Sequence, residues 1–285
     1  MSQWKWLDAP IHEGQSHKGV RLGGQSLLEH LRSTKSPVLS KFNEFSFYEA
    51  SSPKEDSDIV NKFHFLHEQC QSDEKLLIIG GDHSLSIASI SSILEKDPQR
   101  GIIWFDAHGD VNHPNSSPTG HLHGMPLAYL MNRTPLSDKF QFLKTKHFIK
   151  PDQIVYFGLR DLDPDEVTFL NQSSIKFFTA VDFNKNTVEN LFQESYEYLK
   201  QNSYGESLHI SFDVDGLDPK DFPCTGTPVA QGLNLEKTLQ LLTQLKLTEK
   251  VKSAEFVEFN PELCKNSEEL TKSNSTLSSC LEAIL

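Results

Sequence analysis

The sequence is poor in cysteine, in basic charge and in long apolar runs, and each shortage narrows the field. Its four cysteines, Cys70, Cys224, Cys264 and Cys280, make no CxxC pair and no zinc-ribbon pattern. Four reduced thiols in a cytosolic chain is the reading that follows, with Cys224 packing beside the TGTP turn rather than acting as a nucleophile. Lys and Arg number 27 against 39 Asp and Glu, a formal charge of −12. Such a balance argues against nucleic acid or an anionic membrane as a partner, since both favour a basic face. No apolar run nears the roughly 20 residues that span a bilayer. The opening MSQWKWLDAPIHEG has neither the basic start and apolar centre of a signal peptide nor the arginines of a transit peptide. A cytoplasmic location is expected. Internal repeats, low-complexity tracts and long linkers are also missing, so residues 1–285 are expected to form a single domain, with EASSPKEDSD (49–58) as a surface loop.

What is present is an ordinary globular composition, 37% hydrophobic and 23% charged, with room for a sizeable core. Five short apolar runs predict buried strands: 76–80 (LLIIG), 101–105 (GIIWF), 154–158 (IVYFG), 208–212 (LHISF) and 254–259 (AEFVEF). Helical spacing marks 26–33, 85–94, 187–201 and 235–245. Buried strands alternating with helices predict an α/β fold with a parallel sheet covered on both faces. The aromatic stretches KFNEFSFYEA and NKFHFLHE are expected to make core or face contacts, not a base-stacking platform.

Polar residues fall at one repeated place. LLIIG runs into Asp82 and His83, GIIWF into DAHGD, IVYFG into LRDLDPDE, LHISF into DVDGLDP and AEFVEF into NPE. Open α/β sheets bind ligands outside the C-terminal ends of their strands, so these groups are expected to share one crevice. In extended chain, residues two apart face the same side, which would point Asp106, His108 and Asp110 at one spot, with Asp213 and Asp215 repeating the pattern. With His83 the crevice then holds four carboxylates and two imidazoles. Carboxylates at short range cannot all stay ionised without cations. Two divalent ions balance four negative charges, and carboxylate-bridged metal pairs are a known hydrolytic arrangement. Oxygen-rich ligands without thiolate favour manganese over zinc.

The motifs GGDHS (80–84), DAHGD (106–110), SFDVDGLDP (211–219) and EFNP (258–261), in this order, resemble those of the ureohydrolase family, which are manganese enzymes. The resemblance runs from APIHEGQSHKGV to the end of the chain. It implies a three-layer α/β/α fold with a central, mostly parallel, doubly wound sheet. It also implies two Mn2+ per subunit. His83, Asp106, Asp110 and Asp213 would hold one ion and Asp106, His108, Asp213 and Asp215 the other, so that Asp106 and Asp213 bridge.

Three further stretches resemble the arginase branch of that family: DVNHPNSSPTGHLHGMP (110–126), GLRDLDPDE (158–166) and CTGTPVAQGL (224–233), with Val229 where agmatinases typically carry Glu. The implied substrate is L-arginine, cleaved to L-ornithine and urea by a metal-bridging hydroxide that Asp110 helps to position. On this reading Asn112, Ser117 and Thr119 donate hydrogen bonds to the α-carboxylate, and Asp163 meets the α-ammonium. His123 would carry protons to the leaving amine, while Glu258 and the Thr225 hydroxyl hold the guanidinium. A homo-oligomer, trimer or hexamer, is also implied.

The chain departs from the arginase pattern at His121, where Asn is typical, and at Thr119, where Ser is more common. Glu255 stands where the family often has Asp and is given no role. His12, His17, His30, His64, His67, His147 and His209 sit in no motif, and His113 beside the gripping loop reads as surface. The alternatives are another ureohydrolase (agmatinase, guanidinobutyrase or formiminoglutamase), a single-zinc deacetylase of similar fold, or a metal-binding or regulatory protein that is not an enzyme.

Overall fold

The structure is a computed structural model that describes residues 3–49, 58–143 and 147–285. Most of the expected loop at 49–58 therefore lies outside the described residues. One sheet of eight parallel strands runs in the order β2-β1-β3-β8-β7-β4-β5-β6. Its strands are β1 (Trp4–Ala9), β2 (Phe42–Phe47), β3 (Lys75–Gly80), β4 (Gly101–Phe105), β5 (Ile154–Leu159), β6 (Lys176–Thr179), β7 (Leu208–Asp213) and β8 (Val251–Val257). All five expected strands are present, and β8 begins three residues earlier and ends two earlier than AEFVEF implied.

β4, β5 and β7 are buried at every position, which is why they read as unbroken apolar runs rather than alternating ones. Successive side chains feed opposite layers. Ile103 and Phe105 join a core with α1 (Gly23–Ser33), α6 (Ala180–Lys185), α7 (Val188–Gln201), α8 (Leu235–Leu247) and α9 (Ser267–Ile284). Ile102 and Trp104 face the other side, where α2 (Ile59–Gln69), α3 (Ser86–Lys96), α4 (Pro126–Leu130) and α5 (Pro164–Gln172) pack. The result is the three-layer α/β/α arrangement.

A row of phenylalanines levels the strand ends. Phe178, Phe157, Phe105, Phe212 and Phe256 are register partners on β6, β5, β4, β7 and β8. Their ring centroids follow one another at 5.0–5.2 Å. Each buried ring contributes about 1.5–3 kcal/mol. With the strands held in this register, Asp106 and Asp213 emerge side by side, one residue beyond the row.

Of the four cysteines, Cys224 and Cys264 form a disulfide, whereas Cys70 and Cys280 are free and buried. The expectation of four reduced thiols is therefore corrected. The pair is 40 residues apart and has no local motif. It meets because the adjacent strands β7 and β8 both lead into loops at the same end of the sheet, where the Asn260 amide donates to the Cys224 carbonyl at 2.9 Å. No helix among the described residues is long and apolar enough to cross a membrane.

Candidate metal centre and substrate cleft

His83, Asp106, Asp110 and Asp213 converge. Nδ1 of His83 lies 2.8 Å from Asp110 Oδ2, 3.1 Å from Asp106 Oδ2 and 3.3 Å from Asp213 Oδ2. Beside them, Nδ1 of His108 lies 3.4 Å from Asp106 Oδ1 and 3.2 Å from Asp215 Oδ2. The geometry offers two donor groups that share Asp106: His83, Asp106 and Asp110, and Asp106, His108 and Asp215.

The route to this convergence differs from the extended chain expected. β4 stops at Phe105, and the Asp106 carboxylate accepts from the His108 amide at 2.7 Å. Asp213 likewise caps the Asp215 amide at 2.8 Å at the start of a 3-10 turn, Val214–Gly216. Asp110 sits at φ 54°, the left-handed region that costs a non-glycine residue energy and is often found at functional sites. Short side-chain-to-backbone turns, not the pleat, aim these carboxylates. Gly81 lets the GGDHS turn lie against the N-terminal segment, since a Cβ there would sit 1.5 Å from the Ile11 carbonyl oxygen.

Neighbours fix the donors in place. His83 stacks on Trp104 with centroids 4.3 Å apart, and Trp104 Nε1 donates to Asp106 at 3.1 Å. His83 Nε2 meets Ser211 Oγ at 2.8 Å, and that hydroxyl donates to Glu255 at 2.7 Å. Ser86 and Ser89 of α3 also donate to Glu255, at 2.5 and 2.6 Å. Thr227 donates to Asp215 at 2.7 Å. The Arg160 guanidinium donates to the carbonyls of Gly158, Asp215, Gly216, Leu217 and Val229, which locks the turn that carries Asp213 and Asp215.

Crowding of buried acids shows in the proton affinities. Burial and the neighbouring Asp106 charge push Asp110 up to about 7. Burial, Asp215 and Asp106 raise Asp213 well above the carboxylate range. Burial opposes charge on His83, but Asp110, Asp106 and Asp213 outweigh it and raise the imidazole. Positive charge among these acids would relieve the crowding.

A cleft of about 310 Å³ opens from this cluster and is lined on its far side by Asn112, Ser117, Thr119, His123, Asp161 and Asp163. Asn112 Nδ2 donates to Asp163 Oδ2 at 2.7 Å. Asp163 begins α5, where its own amide donates to Glu166 at 3.0 Å. Ser117 and Thr119 take the amides of Gly120 and His121. Nδ1 of His123 lies 3.1 Å from Glu258 Oε1. Burial opposes charge on His123, but Glu258 raises its pKa to about 9. Burial works against ionised Glu258 as well, yet His123, the His83 amide and Gln15 hold it below the usual range. Glu258 has φ 68°, a second left-handed residue at the site.

Thr225 is the expected site residue for which the structure gives no side-chain hydrogen bond among the described residues. It is buried, and Glu258 is held by Gln15, His83 and His123 instead. Sequence reasoning missed Gln15, Ser211, Arg160, Glu166 and the serine cradle of Glu255. All but Ser86 and Ser89 lie inside or beside quoted motif stretches, so the signal was proximity to a motif, without a pattern to tell roles apart.

The arginase family model matches residues 6–281. The chain belongs to the arginase family. It is 41% identical to an arginase of Staphylococcus aureus over 65% of its length, and that alignment spans 60% of the S. aureus protein. It is 32% identical to arginase-1 of Bos taurus, covering 95% of this chain and 88% of the relative. The arginase of Entamoeba histolytica, determined with L-ornithine, has TM-score 0.86 and 26% identity, covering 100% of this chain and 98% of that one. In fold alone, the chain is also similar to a formimidoylglutamase of Bacillus subtilis, TM-score 0.80 at 18% identity over 100% of this chain and 87% of that one.

Proposed function

We propose that this chain is an arginase that cleaves the guanidinium group of L-arginine to L-ornithine and urea with the help of two Mn2+. The observation that carries this reading is the convergence of three buried carboxylate oxygens on His83 Nδ1, at 2.8, 3.1 and 3.3 Å, beside a second donor group that shares Asp106. Buried carboxylates this close repel one another unless positive charge sits among them, and the cluster suits a cation. An oxygen-rich donor set with two imidazoles and no thiolate fits manganese. His83, Asp106, Asp110 and Asp213 would hold one ion and Asp106, His108, Asp213 and Asp215 the other. When bound, such a pair supplies a hydroxide nucleophile at neutral pH and charge that stabilises the developing negative oxygen.

The remaining steps belong to side chains. With a pKa of about 9, His123 is protonated at neutral pH and can give a proton to the leaving amine nitrogen. Glu258 holds that imidazolium by Nδ1 and attracts the guanidinium with its own charge. Recognition of the amino-acid end rests on adjacency. Carboxylate and ammonium share one carbon in an α-amino acid, and Asn112 and Asp163 stand within 2.7 Å of each other to meet them. Ser117 and Thr119 add hydroxyl donors at the mouth. A decarboxylated amine would leave these groups without a partner, which favours arginine over agmatine.

The test is release of urea from L-arginine and from agmatine, side by side, by protein incubated with Mn2+. L-Arginine is expected to be preferred by at least about a hundredfold in kcat/KM. A preference for agmatine, or product only from formiminoglutamate, overturns the arginase assignment within the family.

A further inference from the structure

We propose that Lys62 is a positioning residue for the proton-transfer side of the cleft, acting through Glu13 to hold the segment Pro10–Gln15 against His123 and Glu258. The inference rests on the reading of that cleft given above. Lys62 lies on α2, a helix with no residue lining the cleft, yet it is only 2% exposed. A lysine is almost never this buried unless paired.

Its ammonium has three donors and no acceptor, and three acceptors stand around it on nearly consecutive residues. The Pro10 carbonyl is at 3.0 Å, His12 Nδ1 at 3.3 Å and Glu13 Oε1 at 3.0 Å. Burial lowers the His12 imidazole, with Glu13 opposing and Lys62 adding to the shift, which leaves Nδ1 free to accept. The other Glu13 oxygen accepts from the His12 amide at 2.9 Å. The segment is thus tied at one end to a single buried cation.

Its other end carries the site. The Gly14 amide donates to Asp82 at 2.8 Å, and the Gly14 carbonyl accepts from the His123 amide at 3.2 Å. Gln15 Nε2 donates to Glu258 Oε2 at 2.5 Å, while Oε1 of the same carboxylate serves His83 and His123. One and two residues after Glu13, therefore, the chain holds the backbone of the proton donor and the carboxylate that orients it. Loss of Lys62 leaves the Glu13 carboxylate, 16% exposed, without its counter-charge. A buried charge stripped of its partner is drawn toward water, and lifting this segment would take Glu13 there.

Lys62→Met and Glu13→Gln, singly and together, test the inference. The readouts are amide hydrogen exchange in peptides covering 11–17 and 119–125, and steady-state kinetics with L-arginine in the manganese-loaded protein. Lys62→Met is expected to speed exchange in both peptides at least about tenfold while strand peptides stay protected. It should lower kcat about 10- to 100-fold with KM little changed, the scale of a roughly 1 Å misplacement. The double variant should recover much of both losses, because the uncompensated charge is gone. Should Lys62→Met not fold, Glu13→Gln alone is expected to loosen the same two peptides. Unchanged exchange in both peptides in the folded single variants overturns the inference, as does loosening that spreads equally through the strands. A wild-type protein inactive on L-arginine would count against the arginase reading instead, since the exchange result stands without turnover.

Discussion

Nδ1 of His83 lies 2.8 Å from Oδ2 of Asp110, with Asp106 Oδ2 at 3.1 Å and Asp213 Oδ2 at 3.3 Å from the same nitrogen. The other ring nitrogen of His83 is already engaged by Ser211. When Nε2 carries the proton, Nδ1 presents a lone pair to three carboxylates, a mutual repulsion that a divalent ion converts into attraction.

Ser211 and Glu255 should therefore tune that ion. Glu255→Gln removes the anion that receives the Ser211 hydroxyl and is expected to weaken Mn2+ binding about 10- to 100-fold. Calorimetric titration measures it, and Ser211→Ala should reproduce the effect without adding to it. Additive losses would separate the two residues.

Asp106 contributes to both donor groups, so its replacement should be the more damaging. Asp106→Asn is expected to lose both ions by elemental analysis after dialysis. His123→Asn should keep its metal and lose turnover about 10²- to 10⁴-fold, the usual contribution of a positioned proton donor. Full metal retention in Asp106→Asn would count against a shared carboxylate.

The Cys224–Cys264 bond closes a loop of 40 residues. Chain-entropy reasoning puts its effect at about 4 kcal/mol as an upper figure. Reduction, or the paired Cys→Ser replacement, is expected to lower the thermal midpoint by several degrees. An unchanged midpoint in reductant would show that the bond adds nothing to stability.

Stability should also depend on Asp8. Burial pushes its carboxyl up to about 7 from an ordinary value of 3.8. Between these values the unfolded chain has released a proton that the folded chain still holds, so stability falls as pH rises through that window. Asp8→Asn is expected to be more stable than wild type at pH 8, on the order of 1–4 kcal/mol, and nearly equal to it at pH 3. Denaturant melts at the two pH values provide the comparison. An equal gap at both would exclude the linkage.

Strands buried on both faces announced themselves as apolar runs, and the acids after them announced the crevice. β1 was hidden because Lys5 and Asp8 interrupt WKWLDA, and β2 and β6 because they lie at the sheet edges. Spacing two apart in DAHGD marks side chains that do converge, but the turns at Asp106 and Asp213, not the pleat, do the aiming. The disulfide was not legible, because two loops meet there only after the sheet has formed. Lys62 sits within an aromatic stretch, and nothing in NKFHFLHE says that its lysine turns inward. Side-chain networks such as Glu255 with Ser86, Ser89 and Ser211 depend on pairs up to 169 residues apart, which no local pattern records.

The central claim is that two divalent ions share this cluster. Titration of metal-free protein with Mn2+, followed by electron paramagnetic resonance, tests it most directly. Two ions per chain with a spin-coupled signal are predicted, and a single uncoupled ion at saturation would contradict the account.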